Sequence, residues 1–279
     1  MFPVKKLVFA PAFSYFLHGM RPKLRIIIDG ARSAAFNMAA DLFLLGRAAL
    51  ENSVFVRFYS WERPSISLGC MQKAGELLDR INIEREGADV VTRPTGGRAV
   101  LHWNDITYSC VFPAKAPGMG ISINESYRVV GRCLMRGLSN AGIACESHDS
   151  SHEYNATRSQ IKLPCFLSPN RNEIMVQGRK LVGSAQKRTH EAVLQHGSIP
   201  MDGSFCRLPD FLLLSEEERE KQKELLKKKC ICIQEIDPGM NVEDLVSCLK
   251  KGFVETLHGE AVEQFWSETE IKKTQEMIV

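Results

Sequence analysis

The chain has 279 residues, of which 44% are apolar and 25% charged, and its net charge is +3. That length buries a substantial core as one α/β domain, or one with a small appendage, and the charge is too small for a general nucleic-acid binder, so any acidic partner must meet a local basic patch. The nine cysteines are scattered, odd in number and without a CxxC pair, which reads as reduced thiols of a cytoplasmic protein, with Cys230-x-Cys232 lacking metal-ligand spacing and no metal expected.

Lys5-Lys6 followed by LVFAPAFSYFL resembles a secretory leader. Pro11 interrupts it and no A-x-A-like cleavage site follows, so residues 1–24 are read as an arm of unknown role. No other apolar run approaches the span of a bilayer, and no membrane partner is expected.

Leu24–Asp29 reads as a buried strand, and Ala34–Leu50 as a helix with Phe36, Ala39, Ala40, Phe43 and Leu44 at helical spacing. Val54–Tyr59 alternates as a strand, Trp61 and Pro64 mark a turn, and Ser65–Gly69 resumes an extended path. Glu76–Glu86 is a short amphipathic helix and Ala88–Thr92 a further strand. Next comes RPTGGRAV, residues 93–100. Two glycines between Arg93 and Arg98 suit a loop that holds an anion; a tight turn with solvated arginines is the alternative. Asp105–Pro113 is a strand, Ile123–Ala141 a long helix with Asn124 at its N-cap, and Ser147–Gln160 a polar loop.

The segment Pro164–Ile199 holds the candidate chemistry. Cys165 begins it in a run rich in Pro, Ser and Asn. Glu173–Val176 and Arg179–Val182, separated by Gln177-Gly178, read as a hairpin with a primed turn. Gly183-Ser184-Ala185-Gln186 is a strip of small residues through which backbone can approach a ligand, and Val193–Ile199 is a strand broken by glycine. Ser215–Lys229 is a charged helix and Asn241–Leu257 an amphipathic helix capped by Asn241. Strands mixed with helices imply an α/β (α+β) fold, mixed sheets covered by helices.

Cys165 is the candidate nucleophile and Lys180 its candidate electrostatic partner. Lowering a thiol pKa of about 8.5 by about two units raises the thiolate fraction roughly 25-fold, while intrinsic nucleophilicity falls about 8-fold. The net gain is only about threefold, so such a lysine must also orient the carbonyl or stabilise the oxyanion, with backbone N–H groups of Gly183–Ala185 as helpers. A single cysteine among nine is ordinarily a small buried hydrophobe, and a strand lysine is ordinarily solvated. His102, His190 and His196 are candidate general bases without metal spacing. For His196, holding loops together by hydrogen bonds is an equal alternative.

RFYSW (57–61), SLGCMQ (67–72), RPTGGRAVLH (93–102), DITYS (105–109), GRKLVGSAQKR (178–188) and LQHGSI (194–199), in that order, resemble the superfamily of lipoate–protein ligases, octanoyltransferases and biotin–protein ligases. Within it the match is closest to the cysteine-dependent octanoyltransferases of the LipM type. The resemblance implies a biotin/lipoate-ligase-like catalytic domain over residues 25–258, helical from about 207, with 259–279 as a tail. It implies a thioester on Cys165, which stands in a Cys-Phe dipeptide, with Lys180 fifteen residues on lowering the thiol pKa. It also implies that Arg93, Gly96, Gly97, Arg98 and Ala99 shape the acyl and nucleotide or pantetheine pocket, with Gly183, Ser184 and Ala185 as the opposite wall; His102 and His196 are expected among the substrate-binding residues. Leu167 departs from the polar residue common after that dipeptide.

Three functions follow. As a transferase, the protein moves an octanoyl or lipoyl group from acyl carrier protein through Cys165 to a lysine of a lipoyl domain, such as glycine-cleavage H protein or an E2 subunit, with no cofactor. As a lipoate–protein ligase it uses ATP and Mg²⁺ through lipoyl-AMP, and ligases of the self-sufficient kind carry a further C-terminal domain. As a non-catalytic binder it docks acidic partners on Lys187-Arg188 and Lys227–Lys229.

Overall fold

Val54, Val56 and Phe58 enter one apolar cluster while Phe55 enters another, so alternation along a single strand sets the two faces of the central sheet. The computed structural model describes residues 23–120, 122–148 and 173–278. Cys165, Leu167, the arm at 1–22 and most of the 147–160 segment lie outside them.

In chain order the elements are β1 (Lys23–Arg32), α1 (Ala34–Glu51), β2 (Ser53–Trp61), β3 (Ser65–Leu68), α2 (Ala74–Leu77), α3 (Arg80–Glu86), β4 (Asp89–Thr92), β5 (Val100–His102) and β6 (Asp105–Pro113). There follow α4 (Ile123–Asn140), β7 (Glu146–His148), β8 (Glu173–Val176), β9 (Arg179–Arg188), β10 (Ala192–Pro200) and a 3₁₀ helix (Gly203–Phe211). The chain continues through α5 (Glu216–Lys229), α6 (Ile233–Ile236), α7 (Val242–Leu257), β11 (Glu260–Glu263) and α8 (Glu268–Glu276). One sheet of eight strands runs β11-β1-β2-β6-β10-β9-β8-β7, and a second of three runs β4-β3-β5. This is the mixed-sheet, helix-covered architecture expected from the strand–helix pattern.

The face carrying Val54, Val56, Phe58, Tyr108 and Phe112 packs against α4 and α7 through Val130, Leu134, Leu249 and Phe253. The opposite face meets α1, and its composition changes along the strands. Phe55, Val111 and Leu194 pack on Leu44, Leu45 and Ala48 of α1, whereas Arg57, Thr107, His196 and Ser198 are buried polar residues. Asn37 and Asp41 on α1 are buried as well. One half of this layer is therefore core and the other half is polar, roofed by the smaller sheet.

Several local signals read differently in three dimensions. The helix expected over Glu76–Glu86 is split, because Asp79 caps α3 by accepting from the amides of Ile81 and Asn82 and its own amide donates to Phe211. Ser122, not Asn124, caps α4, forming a reciprocal box with Glu125. The turn of the β8–β9 hairpin does have positive φ at both Gln177 and Gly178, as a primed turn needs. Gly183–Gln186 lies within β9, paired residue for residue with β10, which runs unbroken through Gly197. Residues 259–279, read from sequence as a tail, supply β11, which extends the sheet beside β1, and α8, which is tied to α1 by the Arg47–Glu270 ion pair.

α4 and α7 cross at glycines. A Cβ on Gly252 would lie 2.3 Å from the Gly137 backbone nitrogen, and no side chain can yield to relieve that. Gly252→Ala is expected to destabilise the fold by about 1–3 kcal/mol through forced separation of the two helices, read as a lowered midpoint in urea unfolding.

Candidate functional site

Arg93 follows β4 and is buried. Its guanidinium directs every N–H inward. Nε donates to Thr95 Oγ1 at 3.2 Å, one terminal nitrogen to the Ser67 carbonyl at 2.9 Å and Ser67 Oγ at 3.3 Å, and the other to the carbonyls of Gly96 and Arg98 at 2.8 and 2.7 Å. The loop is also pinned through its backbone, with the Arg93 amide on Leu68 and the Cys70 amide on Thr95. It lies so close to Gly69 that a Cβ there would stand 2.1 Å from the Gly97 carbonyl oxygen. The anion-holding loop expected from Arg93 is thus, at Arg93 itself, a loop held shut by its own arginine.

The two hydroxyls that accept from Arg93 each face a histidine. Ser67 Oγ is 2.8 Å from His102 Nε2, and Thr95 Oγ1 is 2.7 Å from His196 Nε2. Each histidine in turn places Nδ1 on a carboxylate, His102 on Asp105 at 2.9 Å and His196 on Asp41 at 2.8 Å. An ionised carboxylate only accepts, so both rings carry their proton on Nδ1 and leave Nε2 to accept from the hydroxyl. Two parallel relays, hydroxyl to imidazole to carboxylate, therefore diverge from one guanidinium.

They border a cavity of about 410 Å³ including its open mouth, lined by Met38, Tyr59, Trp61, Ser67, Arg93, Val100, His102, Thr107, Gly183–Ala185 and His196–Ser198. The smaller sheet and its loop provide one wall, and β2, β6, β9, β10 and α1 the rest. Small residues are required where β9 meets β10, since a Cβ on Gly197 would lie 2.3 Å from the Gly183 carbonyl oxygen and 2.7 Å from the Tyr108 ring. Ser184 Oγ is 2.8 Å from Tyr108 Oη, which also accepts from Gln195.

Behind His196, Asp41 also accepts from Tyr59 Oη at 3.2 Å and faces Arg57 at 3.6 Å. Arg57 is fully buried and binds Asp29 and Asn37 as well. Burial pushes the Asp29 carboxyl up, but the charge of Arg57 and hydrogen bonds from Arg57, Arg32 and Trp266 outweigh it and hold the group below its ordinary value.

Of the residues singled out by sequence, Arg93, His102, Gly183, Ser184, Ala185 and His196 converge on the cavity. Gly96, Gly97, Arg98 and Ala99 build the loop behind Arg93. Lys180 is buried, not solvated, and its Nζ donates to Glu173 Oε1 at 2.6 Å. Its carbonyl accepts from Ile231 and it bridges to Cys230. Cys165, the expected partner of Lys180, lies outside the described residues. Sequence reasoning did not single out Asp41, Asp105, Ser67 or Thr95 as site residues. One signal was available, since Asn37 and Asp41 recur at helical spacing with Leu44, Leu45 and Ala48 on the buried side of α1. Among the described residues no group of three or more His, Cys, Asp or Glu is arranged to hold a metal, and no helix is long and apolar enough to cross a membrane.

Residues 33–254 match the model of the lipoyl protein ligase A/B catalytic domain. The chain belongs to that family. Within the lipoyl protein ligase A/B family, its relatives include Octanoyltransferase LipM of Bacillus cereus, 34% identical over 89% of this chain and 91% of that protein. Octanoyltransferase LipM of Staphylococcus aureus is 32% identical over 90% and 93%. The lipoyl ligase fold is also evident in a bi-partite lipoate protein ligase from Thermoplasma acidophilum, with a TM-score of 0.76 and 19% identity over 92% of both chains. A lipoate-protein ligase A bound with ATP gives a TM-score of 0.72 at 21% identity, covering 93% of this chain and 94% of the other.

Lysine cannot reproduce the fork of Arg93, because a single ammonium cannot donate to five oxygens spread around a loop. Arg93→Lys is expected to cost about 2–3 kcal/mol of stability, measured by denaturant unfolding.

Proposed function

We propose that the chain is an octanoyltransferase of protein lipoylation, a cytoplasmic enzyme that passes an octanoyl group from acyl carrier protein to a lysine of a lipoyl-domain protein. The observation that carries this reading is the identity of about one third, over nine-tenths of both chains, to proteins named octanoyltransferase. The Cys165/Lys180 spacing supports the covalent route.

In that route the Cys165 thiolate attacks the carbonyl carbon of the donor thioester. A new C–S bond forms, the old one breaks, and the carrier's thiol leaves with a proton. The acceptor amine then attacks the enzyme thioester, giving the amide and restoring the thiol. Neither transfer requires a nucleotide or a metal ion, because the acyl group arrives activated. The cavity suits the acyl group, with Met38 and Val100 as apolar lining and a strip of small residues from Gly183 to Ala185. Lys180 has its charge balanced by Glu173, so its contribution is to orient as much as to attract. The exposed lysines Lys227–Lys229 at the end of α5 give an acidic carrier domain a basic surface to approach.

A competing thiol is disfavoured by its surroundings. Cys230 neighbours Lys180, yet burial pushes it up to about 12 in spite of that lysine's charge. A group so shifted supplies almost no thiolate at neutral pH.

Incubation with octanoyl-acyl carrier protein should add the mass of one octanoyl group, removable by hydroxylamine, to the wild type and to Cys230→Ala but not to Cys165→Ala. Undiminished transfer by Cys165→Ala would end the thioester route. Pyrophosphate exchange with ATP that depends on free lipoate or octanoate would mark a ligase instead.

A further inference from the structure

The two imidazole relays are alike in geometry but not in charge. Asp41 already faces the buried guanidinium of Arg57 and accepts from Tyr59, so a proton added to His196 would bring a second cation to a carboxylate already compensated. Asp105 differs. Its Oδ2 accepts from His102 Nδ1, from Thr107 Oγ1 at 3.1 Å and from Ser198 Oγ at 2.6 Å, none of them a permanent cation. Among the described residues the Oδ1 atoms of both aspartates are buried with no hydrogen-bond partner, but that of Asp41 faces the Arg57 guanidinium at 3.6 Å. Trp61 Nε1 donates to Thr107 Oγ1 at 2.8 Å, directing that hydroxyl's own proton to Asp105. The Trp61 ring also stacks on His102, centroids 4.0 Å apart and planes within 17°.

His102 occupies a boundary. It lines the acyl cavity and also an outer cleft of about 1300 Å³ that Trp61 and Asp105 share. The charged groups around that cleft are Glu62, Arg63, Asp202 and Glu243. Among the described residues they share the surroundings of the ring with Asp105, and with Arg93 acting through Ser67.

We infer that Ser67, His102 and Asp105 form the proton acceptor for the incoming lysine amine, and that His196 with Asp41 holds the opposite wall. The inference rests on the acyl-transfer reading, since it needs an amine as acceptor. The acceptor side chain arrives as an ammonium and must lose a proton before its lone pair can attack. That proton passes to Ser67 Oγ while the hydroxyl's own proton moves to His102 Nε2, leaving an imidazolium paired with Asp105. The amine nitrogen then bonds to the acyl carbon and the C–S bond breaks, its electron pair returning to the enzyme sulfur. The nitrogen's second proton goes to that sulfur. His102 releases its proton to water in the outer cleft, so thioester and ammonium become amide, thiol and one proton.

Single-turnover measurements on the full chain separate the steps: formation of the octanoyl-enzyme, its discharge to the lysine of a lipoyl domain, and its discharge to hydroxylamine, which is already unprotonated at neutral pH. For His102→Gln, the rate of discharge to lysine relative to that to hydroxylamine should fall about 100-fold or more from the wild-type ratio. Ser67→Ala, a small change expected to fold even if His102→Gln does not, should show the same selective loss. Equal losses in all three steps, or an unchanged lysine discharge, would overturn the inference. If the wild type forms no octanoyl-enzyme, the transferase reading fails instead. The same comparison of amines then runs on preformed octanoyl-adenylate, where loss confined to the lysine amine supports the relay and its absence refutes it.

Discussion

A buried guanidinium must find an oxygen for each of its N–H groups or lose more than the fold can spare. Arg93 meets that constraint by drawing in two carbonyls of its own loop, one from β3 and the hydroxyls of Ser67 and Thr95. The consequences extend beyond the loop. Once those oxygens accept from the arginine, the hydroxyl protons turn outward to the histidines, and the histidine protons turn to Asp105 and Asp41. One side chain thereby sets the direction of two hydrogen-bond chains.

The sheet makes this arrangement possible. The strand alternation that places Val54, Val56 and Phe58 under α4 and α7 leaves Phe55 and Arg57 on the other side, where α1 offers leucines at one end and Asn37 and Asp41 at the other. Apolar packing anchors the strands, and the polar half is held rigid by the groups it contains. Trp266, from the C-terminal segment, completes this support by donating to Asp29 at 2.8 Å, which in turn binds Arg57. The segment after α7 is thus tied to the same network that backs His196.

Much of this was legible in the sequence where a signal was local. The primed turn at Gln177-Gly178, the cap at Asn241 and the alternation of β2 all stand in the structure as their residues imply. The motif resemblance also brought Arg93, His102, Gly183–Ala185 and His196 to one cavity. What escaped depends on partners distant in sequence. Nothing near Asp41 announces that it will meet His196, 155 positions away. Arg93 looks like an anion ligand until its own loop carbonyls are seen to occupy it. Lys180 is read from sequence as the partner of Cys165, and its pairing with Glu173 escapes because only the hairpin brings the two together; β11 was hidden because a four-residue strand of Glu-Ala-Val-Glu, exposed throughout, has no apolar face to detect.

The proton positions are the most direct check on the account. Nitrogen chemical shifts of ¹⁵N-histidine-labelled protein at neutral pH should show His102 and His196 both protonated at Nδ1, with Nε2 bare and accepting a hydrogen bond. A proton on Nε2 of either neutral ring would reverse the hydroxyl facing it. That result would contradict the control of both relays by Arg93.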